Sequence, residues 1–142
     1  IGGVSMVGRI SMGTANDKIG GKRSLIFCFI ILLSGLVWLQ IAEKAWMLFL
    51  FAAVYGFSHG GFFTVMSPTV AELFGTGSHG LLFGLVLFSG TIGGAVGPVL
   101  AGRMFDVTGS YQDVFWILTG LALSGLILIL MLGPLPKAGS SE

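Results

Sequence analysis

Four unbroken apolar stretches limit what this chain can fold into: residues 24–42, 46–73, 81–104 and 114–133. Each is long enough for a helix that crosses a hydrocarbon core about 30 Å thick, which takes roughly 20 residues. A fifth stretch, residues 1–15 (IGGVSMVGRISMGTA), is apolar from its first position. It reads as the end of a helix, and the chain as a piece of a longer protein, not as a start with a cleavable secretory signal. Membrane β-strands would show about 10 residues of alternating character, whereas these runs are continuous. A water-soluble bundle needs polar faces on its outer helices, and SLIFCFIILLSGLVWL, residues 24–39, offers almost none. Charged residues make up 9% of the chain, where about 25% is usual for a soluble domain. The expected fold is therefore an all-α membrane bundle over 1–133, one partial and four complete helices, followed by a polar tail at 134–142.

The connections at 16–23, 43–45, 74–80 and 105–113 are short. Pro68 lies inside the longest span and is expected to kink or tilt it. Asp113 is the expected N-cap of the last helix, and Gly133, Pro134 and Pro136 its stop. Lys18, Lys22, Arg23 and Lys137 fall on one side of the membrane, against Lys44 and Arg103 on the other. This bias places loop 16–23 and the C-terminus in the cytoplasm. Trp38, Trp46, Tyr111 and Trp116 then gather at the opposite interface, where amphipathic rings anchor helices.

Several function classes drop out at this stage. A net charge of +1 provides no basic surface for nucleic acid. Cys28 is the only cysteine, and with His59 and His79 it shows no metal-ligand spacing. Neither a phosphate-cradling loop nor a carboxylate pair with a nucleophile is evident, so no enzyme, cofactor or metal site is expected.

The 24 glycines are concentrated inside the spans. In GLLFGLVLFSGTIGGAVGPVLAG, residues 80–102, Gly80/Gly84, Gly90/Gly94 and Gly93/Gly97 are spaced four apart, with Pro98 next. Such spacing puts each pair on one helix face, where neighbouring helices can approach closely in lipid. Gly56, Gly60 and Gly61 do the same in the preceding span. Simple packing is one reading; faces that slide during a conformational cycle is the other.

Charge is concentrated in GRISMGTANDKIGGKR, residues 8–23, which holds Arg9, Asp17, Lys18, Lys22 and Arg23. Gly13, Asp17, Lys18, Gly20, Lys22 and Arg23 follow the pattern G-x3-D-[RK]-x-G-x-[RK]-[RK] between two spans. Gly20 permits a turn at positive φ, and Lys22 and Arg23 suit anionic headgroups. Asp17 can accept backbone N–H bonds from the end of a neighbouring helix. An ordinary basic loop that only sets topology is the alternative. The pattern resembles the signature loop of the major facilitator superfamily, which follows the second and the eighth helix. Four complete helices follow it here, so the resemblance places the chain from the end of helix 8 through helix 12, and implies a missing N-terminal half. In that family the aspartate is thought to help latch the cytoplasmic side shut.

Arg9 lies eight residues before Asp17, roughly 12 Å deeper along a helix. An arginine at that depth costs at least ~2.5 kcal/mol unless it faces a cavity or a partner. Its fork suits a carboxylate. The string IGGVSMVGR-x3-G resembles the eighth helix of monocarboxylate transporters and oxalate/formate antiporters, where an arginine at this position binds the substrate carboxylate. FGLVLFSGTIGGAVGPVLAGRMFDVTGSY resembles their eleventh helix and the loop after it. Where the monocarboxylate transporters carry a proton-coupling aspartate one turn before the arginine, this chain has Ser5, which leaves that route to coupling without its carboxylate. A structural role for Arg9, paired with an acid in the missing half, stands as the other reading.

His59, with Tyr55 one turn earlier, sits about 20 Å into the third span. There it would exchange protons, bind a carboxylate, or join two helices by a hydrogen bond. Glu72 at the span's end would hold a cation of loop 16–23, or stay solvated at the interface. Arg103 would snorkel at its helix end or draw anions to the mouth, and Asp106 with Thr108 and Gly109 belongs to a turn. The expected function is secondary transport of small organic anions (monocarboxylate or dicarboxylate) by alternating access in a plasma (inner) membrane, by symport or antiport, with the proton as a candidate coupling ion. A facilitator for a sugar or drug, or a non-transporting membrane sensor or assembly subunit, are the alternatives.

Overall fold

The computed structural model describes residues 2–133; Pro134, Pro136, Lys137 and the expected polar tail 134–142 lie outside them. Five helices follow one another: α1 (Gly2–Ile19), α2 (Gly21–Gln40), α3 (Ala45–Phe74), α4 (His79–Thr108) and α5 (Gln112–Met131). The last four are long and apolar enough to cross a membrane. With 20 residues each, α2 and α5 span about 30 Å, the thickness of the hydrocarbon core. The 30 residues of α3 and of α4 exceed that thickness, which a tilted or protruding helix accommodates.

The 16–23 connection is not a loop. Helix α1 continues through Asp17 and Lys18, α2 begins at Gly21, and only Gly20 interrupts them, at φ 85°. Its N–H donates to Asn16 O at 2.9 Å, closing α1, and its carbonyl accepts from Ser24 N at 3.1 Å, opening α2. One residue can do both because glycine adopts positive φ without Cβ strain. At the other end of the chain, α5 starts at Gln112 and its N-cap is Tyr111. Asp113 therefore lies inside the first turn, where its charge suits the helix dipole, and Ser110 Oγ takes the Gln112 N–H at 3.1 Å. Pro68 and Pro98 both lie within continuous helices. Each removes one backbone donor, a loss that membrane helices absorb locally.

Helix α1 packs chiefly on α3; α2 packs on α3 on one side and on α5 on the other. The core at this junction is Met12, Leu25, Cys28 and Val65, with Phe57, Phe62 and Ile129 packed against it. Helix α4 has no buried residue. Large apolar side chains are exposed on every helix, the opposite of a soluble protein and the arrangement a lipid environment selects.

Candidate functional site

The site is built on the seam between α1 and α3. A Cβ on Gly8 would meet the backbone of Phe57, and one on Gly60 would meet the backbone and hydroxyl of Ser5. A Cβ on Gly61 would lie 2.5 Å from Met12 Cγ, and one on Gly13 3.4 Å from Thr64 Cγ2. Backbone lies against backbone here because the side chains are missing. The pairs Gly8–Phe57, Met12–Gly61 and Gly13–Thr64 advance together along the two helices, so α1 and α3 run parallel, and Arg9 is level with residues 57–61 of α3.

The faces of α3 then sort themselves at 100° per residue. Phe57, Gly60, Gly61 and Thr64 face α1. Ser58 faces α2, its hydroxyl donating to Cys28 O at 2.7 Å, and Thr69 lies against Gly21 on the same side. His59 falls outside both faces and is exposed, as is Arg9 on α1. Among the described residues, the buried polar ones are Asn16, Ser24, Ser58 and Thr69, none of them charged. Arg9 and His59 thus lie at a similar level along the parallel helices, both exposed, and no hydrogen bond joins them among the described residues.

His59 belongs to a ladder of rings four residues apart on α3. Phe51 and Tyr55 stack at 5.7 Å, Tyr55 and His59 at 5.5 Å, and His59 meets Phe63 edge-on at 4.9 Å. Beside it a cavity of about 210 Å³ opens between α2 and α3. Cys28, Phe29 and Leu32 line it from α2, and Tyr55, Ser58, His59 and Phe62 from α3. For scale, a dry apolar cavity of 150 Å³ admits benzene. Tyr55 and His59 are brought together as the sequence spacing implies; the α2 wall of the cavity carried no sequence signal.

At the Gly20 end, Glu72 is the carboxylate that meets the turn. Its Oε2 accepts the Gly21 N–H at 3.2 Å, so it caps the open N-terminus of α2 in place of binding a cationic side chain. The cap explains why position 21 is glycine: a Cβ there would collide with Thr69 Oγ1 and lie 2.8 Å from Glu72 Oε2. Lys22 extends to α5, donating to Leu130 O at 3.4 Å and to Leu132 O. Asp17, Lys18 and Arg23 are exposed. Sequence reasoning missed Asn16 and Ser24, both buried, whose Oδ1 and Oγ have no partner among the described residues. Their only signal was a polar residue flanking the charged motif on its inward side.

Gly90, Gly93, Gly94 and Gly97 sit on the exposed helix α4, and a Cβ on any of them would meet nothing within 4 Å. Pro98 is exposed beside them. The close packing expected of these residues is not made among residues 2–133; the glycines that make it are on α1 and α3. Ser67 Oγ and His79 Nε2, 3.3 Å apart, join α3 to the start of α4. Arg103 and Asp106 are exposed, and Thr108 closes the turn by donating to Ser110 O at 3.0 Å.

The sequence profile of the Major Facilitator Superfamily matches residues 2–142. Among curated proteins, monocarboxylate transporter 13 of Rattus norvegicus is 31% identical over 122 residues, 84% of this chain and 28% of the relative. Monocarboxylate transporter 12 of Rattus norvegicus is 30% identical over 127 residues, 87% of this chain and 26% of the relative. Autophagy-related protein 22 of Yarrowia lipolytica is 30% identical over 90 residues, 63% of this chain and 15% of that protein. The chain spans about a quarter of the length of the monocarboxylate transporters it matches. No solved structure matches it significantly.

Proposed function

The chain belongs to the Major Facilitator Superfamily, and from that premise we propose that it forms part of a carrier of small organic anions, with Arg9 as the cation that receives the carboxylate. It is a transporter-family, multi-pass integral membrane chain with four membrane-length apolar helices. The observation that carries the finer reading is the position of Arg9. The glycine seam holds it level with the middle of α3, on an exposed flank of the bundle, with no buried charge among the described residues to neutralise it. A guanidinium at that depth is tolerated only beside water or an anion, and its fork binds a carboxylate through two charge-assisted hydrogen bonds.

Alternating access supplies the mechanism. The chain would be the C-terminal part of a two-part carrier whose missing N-terminal half closes the other side of a midplane site. Substrate would enter with its carboxylate on Arg9 and leave when the opposite face opens. The Gly20 turn would lie on the cytoplasmic side of a plasma (inner) membrane, where Lys18 and Arg23 meet headgroup charge. His59, on the helix that packs against α1, would take over the coupling role that Ser5 cannot fill. Tyr55, stacked on it, fixes the imidazole plane.

Uptake by the full-length protein in proteoliposomes tests this. Replacing Arg9 by Gln removes the charge and retains a donor, and should cut uptake of small carboxylates about tenfold or more. Undiminished uptake would refute the assignment. One observation favours a different substrate class: the cavity beside Tyr55 and His59 is walled almost wholly by apolar groups, as a site for an uncharged molecule would be. Uptake of a sugar or neutral drug with no competition from carboxylates would establish that alternative, and absence of any flux would point to a sensor or assembly subunit.

A further inference from the structure

The cavity between α2 and α3 has walls richer in rings than a mere gap between membrane helices requires. Its volume is about 210 Å³, and four of its seven lining residues carry rings: Phe29 from α2, and Tyr55, His59 and Phe62 from α3. The rings are ordered among themselves. Phe29 meets Phe62 edge-on at 5.8 Å, and Tyr55 stacks on His59 at 5.5 Å. Leu32 adds an aliphatic side to the α2 wall, and no carboxylate, ammonium or guanidinium belongs to the lining. Ser58 is there as well, but its hydroxyl is already given to Cys28 O at 2.7 Å. The space is right for one six-membered ring, since a dry cavity of 150 Å³ already admits benzene. Aromatic walls also favour an aromatic guest over a saturated one of the same size, through edge-to-face and offset-stacked contacts.

The cavity and Arg9 lie at one level of the bundle. The glycine seam sets Arg9 against residues 57–61 of α3, and Ser58 and His59 from that stretch line the cavity. Arg9 and His59 are both exposed, so the packed seam encloses neither. We propose that the substrate is an aryl carboxylate, its ring held in the cavity between Phe29, Tyr55, His59 and Phe62 and its carboxylate on Arg9. The carboxylate end rests on the organic-anion reading above; the aryl cavity does not. Each part selects for one feature. Arg9 alone would accept any short carboxylate, and the cavity alone would suit a neutral molecule. Together they call for a molecule with both, whose ring and carboxylate are joined by a short flexible chain, because the cation is on α1 and the cavity lies between α2 and α3. Tyr55 and His59 then determine specificity for the body of the substrate, and Arg9 for its charge.

Apparent affinities of the purified full-length protein, read from the shift in melting temperature with ligand concentration, need no transport. The probes are phenylpropanoate, cyclohexylpropanoate and propanoate, with phenylpropanol as the neutral control. Phenylpropanoate should bind about fivefold or more tightly than either other carboxylate, although the cyclohexyl ring is the more apolar. Tyr55→Leu keeps an apolar side chain and removes the ring, and should reduce the preference over cyclohexylpropanoate to about twofold or less. Leu32→Phe fills the cavity from the α2 side and should reduce the preference over propanoate in the same way. Each readout is a ratio of two ligands on one protein, so a variant's own stability cancels, and the parent protein alone already tests the first expectation. Equal binding of the three carboxylates, lost in Arg9→Gln, would overturn the aryl cavity and retain Arg9. A preference unchanged in both cavity variants would overturn the cavity as its source. Phenylpropanol bound as tightly as phenylpropanoate, with both unaffected by Arg9→Gln, would overturn the carboxylate on Arg9 and retain the cavity as an aryl site.

Discussion

Two parts of this molecule carry the same sequence signature, and only one packs by it. The α1–α3 seam and helix α4 are both studded with glycines at helical spacing. In the seam, Gly8, Gly60 and Gly61 lie so close to the opposite helix that a methyl group would strike backbone or side chain. On α4, Gly84, Gly90, Gly93, Gly94 and Gly97 have nothing within 4 Å. Glycine spacing therefore says that a helix face can be approached, and leaves open which helix approaches it. The seam shows what the approach accomplishes: it brings α1 against α3 and fixes the level of Arg9 along α3.

The largest effect expected from breaking this contrast is at Gly60. Gly60→Ala places a methyl on the Ser5 backbone, which cannot move aside as a flexible side chain can, and should destabilise the full-length protein by about 3 kcal/mol. Gly93→Ala, on the open helix, should stay within about 0.5 kcal/mol of the parent. Thermal unfolding in detergent compares the two; equal losses would mean that α4 is packed as tightly as the seam by parts of the protein beyond residues 2–133. A smaller effect sharpens the picture at the turn. Glu72→Ala removes the cap on α2 and should cost about 1 kcal/mol, with Glu72→Gln costing less because an amide oxygen still accepts the Gly21 N–H. Smaller again is Ser58→Ala, which gives up the 2.7 Å bond to Cys28 O and should cost about 1 kcal/mol or less, since the carbonyl already serves its own helix.

The contrast also shows where the sequence was legible. Apolar runs longer than a bilayer core have one physical solution, so five helices and their order could be read directly. Their ends could be read less well: α1 runs on through Asp17 and Lys18 because Gly20 alone makes the reversal, and a motif recognised by its charges looks like a loop until φ is known. Arg9 stood out because a charge in an apolar run is costly wherever it points. The α2 wall of the cavity, formed by Cys28, Phe29 and Leu32, could not stand out, since an aromatic facing a cavity and one facing lipid have the same sequence. Nor could the partners of Lys22, which are backbone carbonyls more than a hundred positions away. Periodicity reports which residues share a face; it takes the packed bundle to say what that face meets.

The central claim is that the glycine seam presents Arg9 to a carboxylate. Ligand-induced stabilisation of the purified full-length protein tests it most directly, because a ligand that binds only the folded state raises the unfolding temperature whether or not the carrier is turning over. A small monocarboxylate at saturating concentration should raise the melting temperature of the parent protein, its neutral methyl ester should not, and Arg9→Gln should abolish the rise while keeping the unliganded melting temperature. An equal rise in the parent and in Arg9→Gln would contradict the account.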